Sequence, residues 1–96
     1  MCVISINEFY ETGKRQVICK SYYKHFKGKS YFVENIGEDT ETGKEYVIYR
    51  DIKTNKIWIR EKSMFLSEVD HEKYPDVKQK YRFEYIGTIE DYFNRY

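Results

Sequence analysis

Short runs of β-branched and aromatic residues, separated by polar turns, recur along most of the chain. Residues 2–6 and 15–20 read as short strands. Residues 31–36 alternate, with Tyr31 and Val33 on one face and Phe32, Glu34 and Ile36 on the other. Residues 45–51 are the most strand-like window and are apolar on both faces, as a central strand would be. Residues 57–60 form the next strand. Residues 78–86 then alternate again, with Lys78, Lys80, Arg82 and Glu84 opposite Gln79, Tyr81, Phe83 and Tyr85. Near the C-terminus the period changes. Ile89, Tyr92, Phe93 and Tyr96 fall at i, i+3, i+4 and i+7, with Thr88 as N-cap, Glu90 and Asp91 in the first turn and Arg95 in the last. A helix this short is marginal alone, so its aromatic stripe is expected to dock on the sheet.

The turns between these runs carry glycine or Asx signals. The tetrapeptide Glu11-Thr12-Gly13-Lys14 returns as Glu41-Thr42-Gly43-Lys44, and both copies suit hairpins, because glycine accepts positive φ. Residues 8–11 are consistent with either a helical turn or the first arm of such a hairpin. Lys27-Gly28-Lys29 marks another turn, and residues 51–56 a polar one. Residues 61–66 suit one helical turn that brings Met64 and Phe65 onto the core. Asp70 can cap a turn over residues 71–74, which must end before Pro75. The expectation is a mainly β single domain of five to seven short strands with a short C-terminal helix, bent or closed into a small barrel.

Composition narrows the classes. Ninety-six residues make one modest core. A net charge of +1 gives no global argument for nucleic acid or membrane. Cys2 and Cys19 lack metal or redox spacing, and with two scattered histidines they fit no zinc pattern. No window approaches the ~18 apolar residues of a membrane span. Reduced thiols, a cytoplasmic location, no metal, no cofactor and no membrane contact are the expectations. The aromatic content of 19%, with eleven tyrosines, is the unusual figure, since so many hydroxyls cannot all be buried and satisfied. The charge is also segregated. Lys14, Arg15, Lys20, Lys24, Lys27 and Lys29 lie in a stretch without acids, whereas Glu34, Glu38, Asp39, Glu41 and Glu45 dominate the next.

Four blocks resemble one family in order and spacing. They are Tyr23-x-His25-Phe26-Lys27-Gly28-x-x-Tyr31-x-Val33, then Thr40-Glu41-Thr42, then Val47-Ile48-Tyr49, then Trp58-Ile59-Arg60 followed by Met64-Phe65. This order is similar to that of the small bacterial and phage proteins grouped as domain of unknown function 1653. The resemblance covers residues 22–83 and implies an SH3-type β-barrel, with no activity attached. Glu61 stands where the family usually carries proline. An N-terminal extension of residues 1–21 and a C-terminal helical extension of residues 87–96 flank it. They would close the barrel edges or form an oligomer contact.

Candidate chemistry gathers on a face bearing Tyr23, His25, Lys27, Tyr31, Tyr49, Trp58 and Arg60. Cations beside aromatic rings suit a phosphate-and-base ligand, and stacking contributes roughly 1–3 kcal/mol per base. The plainer reading makes the lysines a solvated face and the rings core. Trp58 and Arg60 share one side of a strand, where they form either a stacked floor for a planar ligand or a cover for the barrel end. Catalysis finds little support. Cys19 and His25 lack a third group, Asp39 and Glu41 suit a solvated loop, and Ser63 lacks a nucleophile elbow. The function expected is a non-enzymatic module for a nucleotide-like ligand or a nucleic-acid segment. The family setting adds a phage protein that sequesters a host signalling nucleotide. The alternative is a protein-interaction or assembly module, homo-oligomeric through strand edges and the C-terminal stripe.

Overall fold

The structure is a computed structural model that describes residues 15–95. The expected strand at residues 2–6, the turn at Gly13 and the ring of Tyr96 lie outside the described residues. The elements are β1 (Ser21–His25), β2 (Ser30–Glu38), β3 (Glu45–Asp51), β4 (Ile57–Glu61), a single helical turn α1 (Lys62–Phe65), β5 (Phe83–Gly87) and α2 (Ile89–Arg95). All five strands form one antiparallel sheet in the order β4-β3-β2-β1-β5. β4 and β5 are its edges and no ladder joins them, so the sheet is not closed into the expected barrel. Side chains bring the edges together instead. Phe65 of α1 stacks on Phe83 of β5 at 4.1 Å, and the Arg60 guanidinium of β4 lies 5.6 Å from the Phe83 ring.

β3 sits between β2 and β4, as its β-branched composition leads one to expect. Val47, Tyr49 and Asp51 point to the buried side. The core joins Val17, Tyr23, Val33, Val47, Tyr49, Phe65 and Phe83, so rings supply much of the buried volume. Edge-to-face contacts link Tyr23 to Phe65 at 5.2 Å and Tyr49 to Phe83 at 5.4 Å.

Residues 15–20 do not form the expected strand. Only Ile18 stands in an isolated bridge, and Lys20 N–H donates to the Val33 carbonyl of β2 at 2.8 Å without extending β1. The chain instead turns at Lys20, which has φ 59°. Val17 and Ile18 are buried, with the Ile18 N–H donating to the Tyr23 hydroxyl at 3.0 Å. Residues 78–82 are also irregular. The ladder starts at Phe83 because its partner, His25, is the last residue of β1. Before that, Phe26 N–H donates to the Arg82 carbonyl at 3.0 Å and Tyr81 bridges only to Glu68.

Three further expectations are corrected. Met64 is 45% exposed, because a single turn cannot aim two adjacent residues at one core, and Phe65 takes the buried position. On α2, Tyr92 docks by stacking on Tyr22 at 4.7 Å, whereas Ile89 and Phe93 are exposed. Cys19 is disulfide-bonded rather than reduced. The Asp70 turn is present: its Oδ1 accepts the N–H groups of Glu72 and Lys73, and its carbonyl accepts that of Tyr74. No helix among the described residues is long and apolar enough to cross a membrane.

Candidate functional site

The β1–β2 hairpin builds one wall of a cleft of about 510 Å³. Its turn closes through His25 N–H to the Lys29 carbonyl and Gly28 N–H to the His25 carbonyl, both 2.8 Å. Gly28 has φ 107°, a conformation that side chains resist, which explains glycine between the two lysines. The turn presents His25, Phe26, Lys27, Lys29 and Tyr31 to the cleft. Tyr49 and Trp58 are cross-strand partners and share a face, and Arg60 follows Trp58 by two residues onto the same side. The opposite wall comes from the segment between α1 and β5, through Asp70, Lys73, Tyr74 and Arg82.

His25 lies where these walls meet. Its ring stacks on Phe26 at 4.5 Å and stands edge-on to Phe83 at 4.9 Å. Burial pushes its pKa down to about 4, and the nearby charges of Arg60, Arg82 and Lys27 push the same way. Nδ1 accepts the Lys27 N–H at 3.1 Å, so the proton of the neutral ring belongs on Nε2. His25 therefore offers an uncharged N–H donor among cations.

Both guanidinium groups are anchored through Nε. Arg60 donates to the Tyr49 hydroxyl at 3.2 Å and Arg82 to Ser67 Oγ at 3.2 Å. Neither forms an ion pair among the described residues, and their Nη atoms have no hydrogen-bond acceptor there. Lys27 lies 5.5 Å from the Tyr74 ring and Lys73 lies 5.4 Å from it. Burial raises the Tyr74 hydroxyl pKa, but these two lysines outweigh it and the net shift is downward. Lys29 is different, because it pairs with the buried carboxylate of Asp51 at 3.6 Å. The Tyr31 hydroxyl is shifted up, first by burial and then by Asp51 and Tyr49. The Asp70 carboxylate is held in its own turn. The result is an aromatic-walled cleft with a surplus of positive charge.

Residues 21–85 match the family described as Protein of unknown function (DUF1653). The chain belongs to the DUF1653 family. The DUF1653 match runs from the start of β1 into β5 and contains every residue named in the cleft. Neither the curated proteins nor the solved structures include a match to the chain.

Of the residues singled out by sequence, His25, Lys27, Tyr31, Tyr49, Trp58 and Arg60 line this one cleft. Tyr23 does not. It is 1% exposed, sits in the core, and spends its hydroxyl on Ile18. Sequence reasoning missed Phe26, Lys29, Asp70, Lys73, Tyr74 and Arg82. Lys73-Tyr74 repeats the aromatic–lysine adjacency of Phe26-Lys27, which is the one local signal that could have drawn attention to it. Among the described residues no group of three or more His, Cys, Asp or Glu could hold a metal ion.

Proposed function

We propose that this DUF1653 protein is a non-enzymatic binding module whose cleft holds a nucleotide-like ligand or a short nucleic-acid segment. One observation carries the reading. Arg60 and Arg82 reach an aromatic-walled cleft without a carboxylate partner among the described residues, beside the neutral N–H of His25. Unpaired guanidinium groups favour phosphate, and Trp58 and Tyr31 offer planar surfaces for a base. In the phage setting that the resemblance suggests, such a module sequesters a host signalling nucleotide. The strand order, with a helical turn between β4 and β5, supports an SH3-type arrangement for the open sheet.

A thermal-shift screen of nucleotides and short oligonucleotides on the wild type and Arg60→Ala tests this reading. The wild type should be stabilised by at least one ligand, with affinity falling as salt rises, and Arg60→Ala should lose the shift. No shift with any ligand, or the same shift in Arg60→Ala, refutes it.

A second reading rests on a separate observation. β4 is an edge strand whose Ile57 and Ile59 are 51% and 66% exposed. Such an edge can pair with the β4 of a second copy. Sedimentation of the full chain and of Ile59→Lys decides it. A dimer that the substitution abolishes supports the reading, and a monomer at all concentrations opposes it.

A further inference from the structure

Resting on the nucleotide reading, we propose that the cleft selects a terminal phosphomonoester attached to a planar ring over a phosphodiester within a strand or cycle. Lys27, Arg60, Lys73 and Arg82 line the cleft without ion pairs among the described residues, whereas Lys29 is already paired with Asp51. Among the described residues the one carboxylate lining it is that of Asp70, whose Oδ1 accepts two backbone N–H groups. A phosphodiester brings one negative charge and leaves this surplus largely unmatched. A phosphomonoester brings close to two at neutral pH, together with three acceptor oxygens.

Donor geometry points the same way. With Nε of Arg60 held by Tyr49 and Nε of Arg82 held by Ser67, each guanidinium keeps its Nη end for an anion. His25 adds a third, uncharged donor through Nε2, since Nδ1 is occupied by the Lys27 N–H. Two forks and a single N–H suit the three oxygens of a terminal phosphate. A diester offers only two unesterified oxygens and carries a second substituent that must find a way out. A cleft of about 510 Å³ also lies within the range usual for one small molecule.

The selectivity is read by calorimetric titration of the full chain with nucleoside 5′-monophosphates and with their phosphate methyl esters, from pH 5 to pH 7.5. At pH 7.5 the monoester should bind about tenfold more tightly, the effect of one extra charge in a partly screened site. Its second proton dissociates near pH 6, so that advantage should vanish by about pH 5, while ester binding stays flat. His25, held near 4, remains largely neutral across this window, so the pH response reports the ligand. Arg82→Gln should erase the preference in a chain whose circular dichroism is unchanged. Should that variant unfold, Lys27→Gln at the exposed turn tests the same charge balance and should reduce the preference. Equal affinity for monoester and ester at pH 7.5 overturns the selectivity and leaves the nucleotide reading intact. Binding of neither overturns the proposal, and the oligonucleotides of the thermal-shift screen then decide separately whether the cleft takes nucleic acid.

Discussion

Removing one oxygen atom from Tyr23 separates its core role from the ligand role that sequence suggested. Tyr23→Phe keeps the ring against Phe65 and Tyr85 and deletes the hydroxyl that accepts the Ile18 N–H at 3.0 Å. Ile18 is itself buried, so water cannot replace the lost acceptor. Leaving a buried donor unsatisfied costs about 1–3 kcal/mol. A chain of this size is stable by only about 5–14 kcal/mol in total. The midpoint of thermal unfolding should therefore fall by at least ~4 °C. The same hydroxyl predicts a pH effect. Burial pushes its pKa up to about 12 from an ordinary 10.0, partly opposed by the Ile18 hydrogen bond and Arg15. Below pH 10 the folded and unfolded chains both keep the proton, and the contribution is whole. As pH rises from 10 towards 12 the unfolded chain releases its proton while the folded chain holds it, so stability falls. The loss reaches about 1 kcal/mol by pH 11. Urea unfolding followed by Trp58 fluorescence at pH 8 and pH 11 measures both effects. Wild type should exceed Tyr23→Phe by about 1–3 kcal/mol at pH 8, with a smaller gap at pH 11, and nucleotide binding should be equal in the two. A gap below ~0.5 kcal/mol at pH 8, a gap that widens at pH 11, or a loss of binding refutes the assignment.

Phe83 is the ring on which core and cleft meet, contacting Phe65, Tyr49, Tyr31 and His25, so Phe83→Ala should cost about 3–5 kcal/mol in urea unfolding. A loss under 1 kcal/mol would show that the edges of the sheet do not depend on it. Gly87→Ala should destabilise far more than Gly28→Ala. Both glycines have positive φ, but a Cβ at Gly87 would overlap the Asp91 side chain from its Cβ to its carboxylate, whereas Gly28 faces open space. Equal unfolding midpoints for the two variants would contradict the packing of α2 against the end of β5.

Local pattern carried the central strands and failed where the answer depended on distant partners. β3 was legible because Val47, Ile48 and Tyr49 favour a strand in any sheet. Trp58 and Arg60 could be placed on one face because strand parity is fixed. The fate of residues 15–20 was not legible, since it depends on the left-handed turn at Lys20 and on the Tyr23 hydroxyl that takes the Ile18 N–H. Tyr23 and His25 do share a face, but depth along a strand has no local signature, and Tyr23 lies in the core while His25 lies at the cleft. Arg82 read as one polar position in an alternating run. Its place in the cleft comes from a fold-back held by Phe26 N–H to the Arg82 carbonyl and Arg82 N–H to the Ser67 carbonyl, the first of which joins segments far apart in sequence. The strand pattern leaves a bent sheet and a small barrel both open, because closure depends on whether β4 and β5 share a ladder, and here they approach through side chains instead.

Chemical-shift mapping on the ¹⁵N-labelled full chain, titrated with a nucleoside 5′-monophosphate, tests the binding site most directly. Saturable shifts are expected at the Lys27 and Tyr31 amides, the Trp58 indole N–H and the Arg60 side chain, with little change at Tyr22, Phe32 and Tyr92 on the opposite face of the sheet. Shifts confined to that opposite face, or none at millimolar ligand, would contradict it.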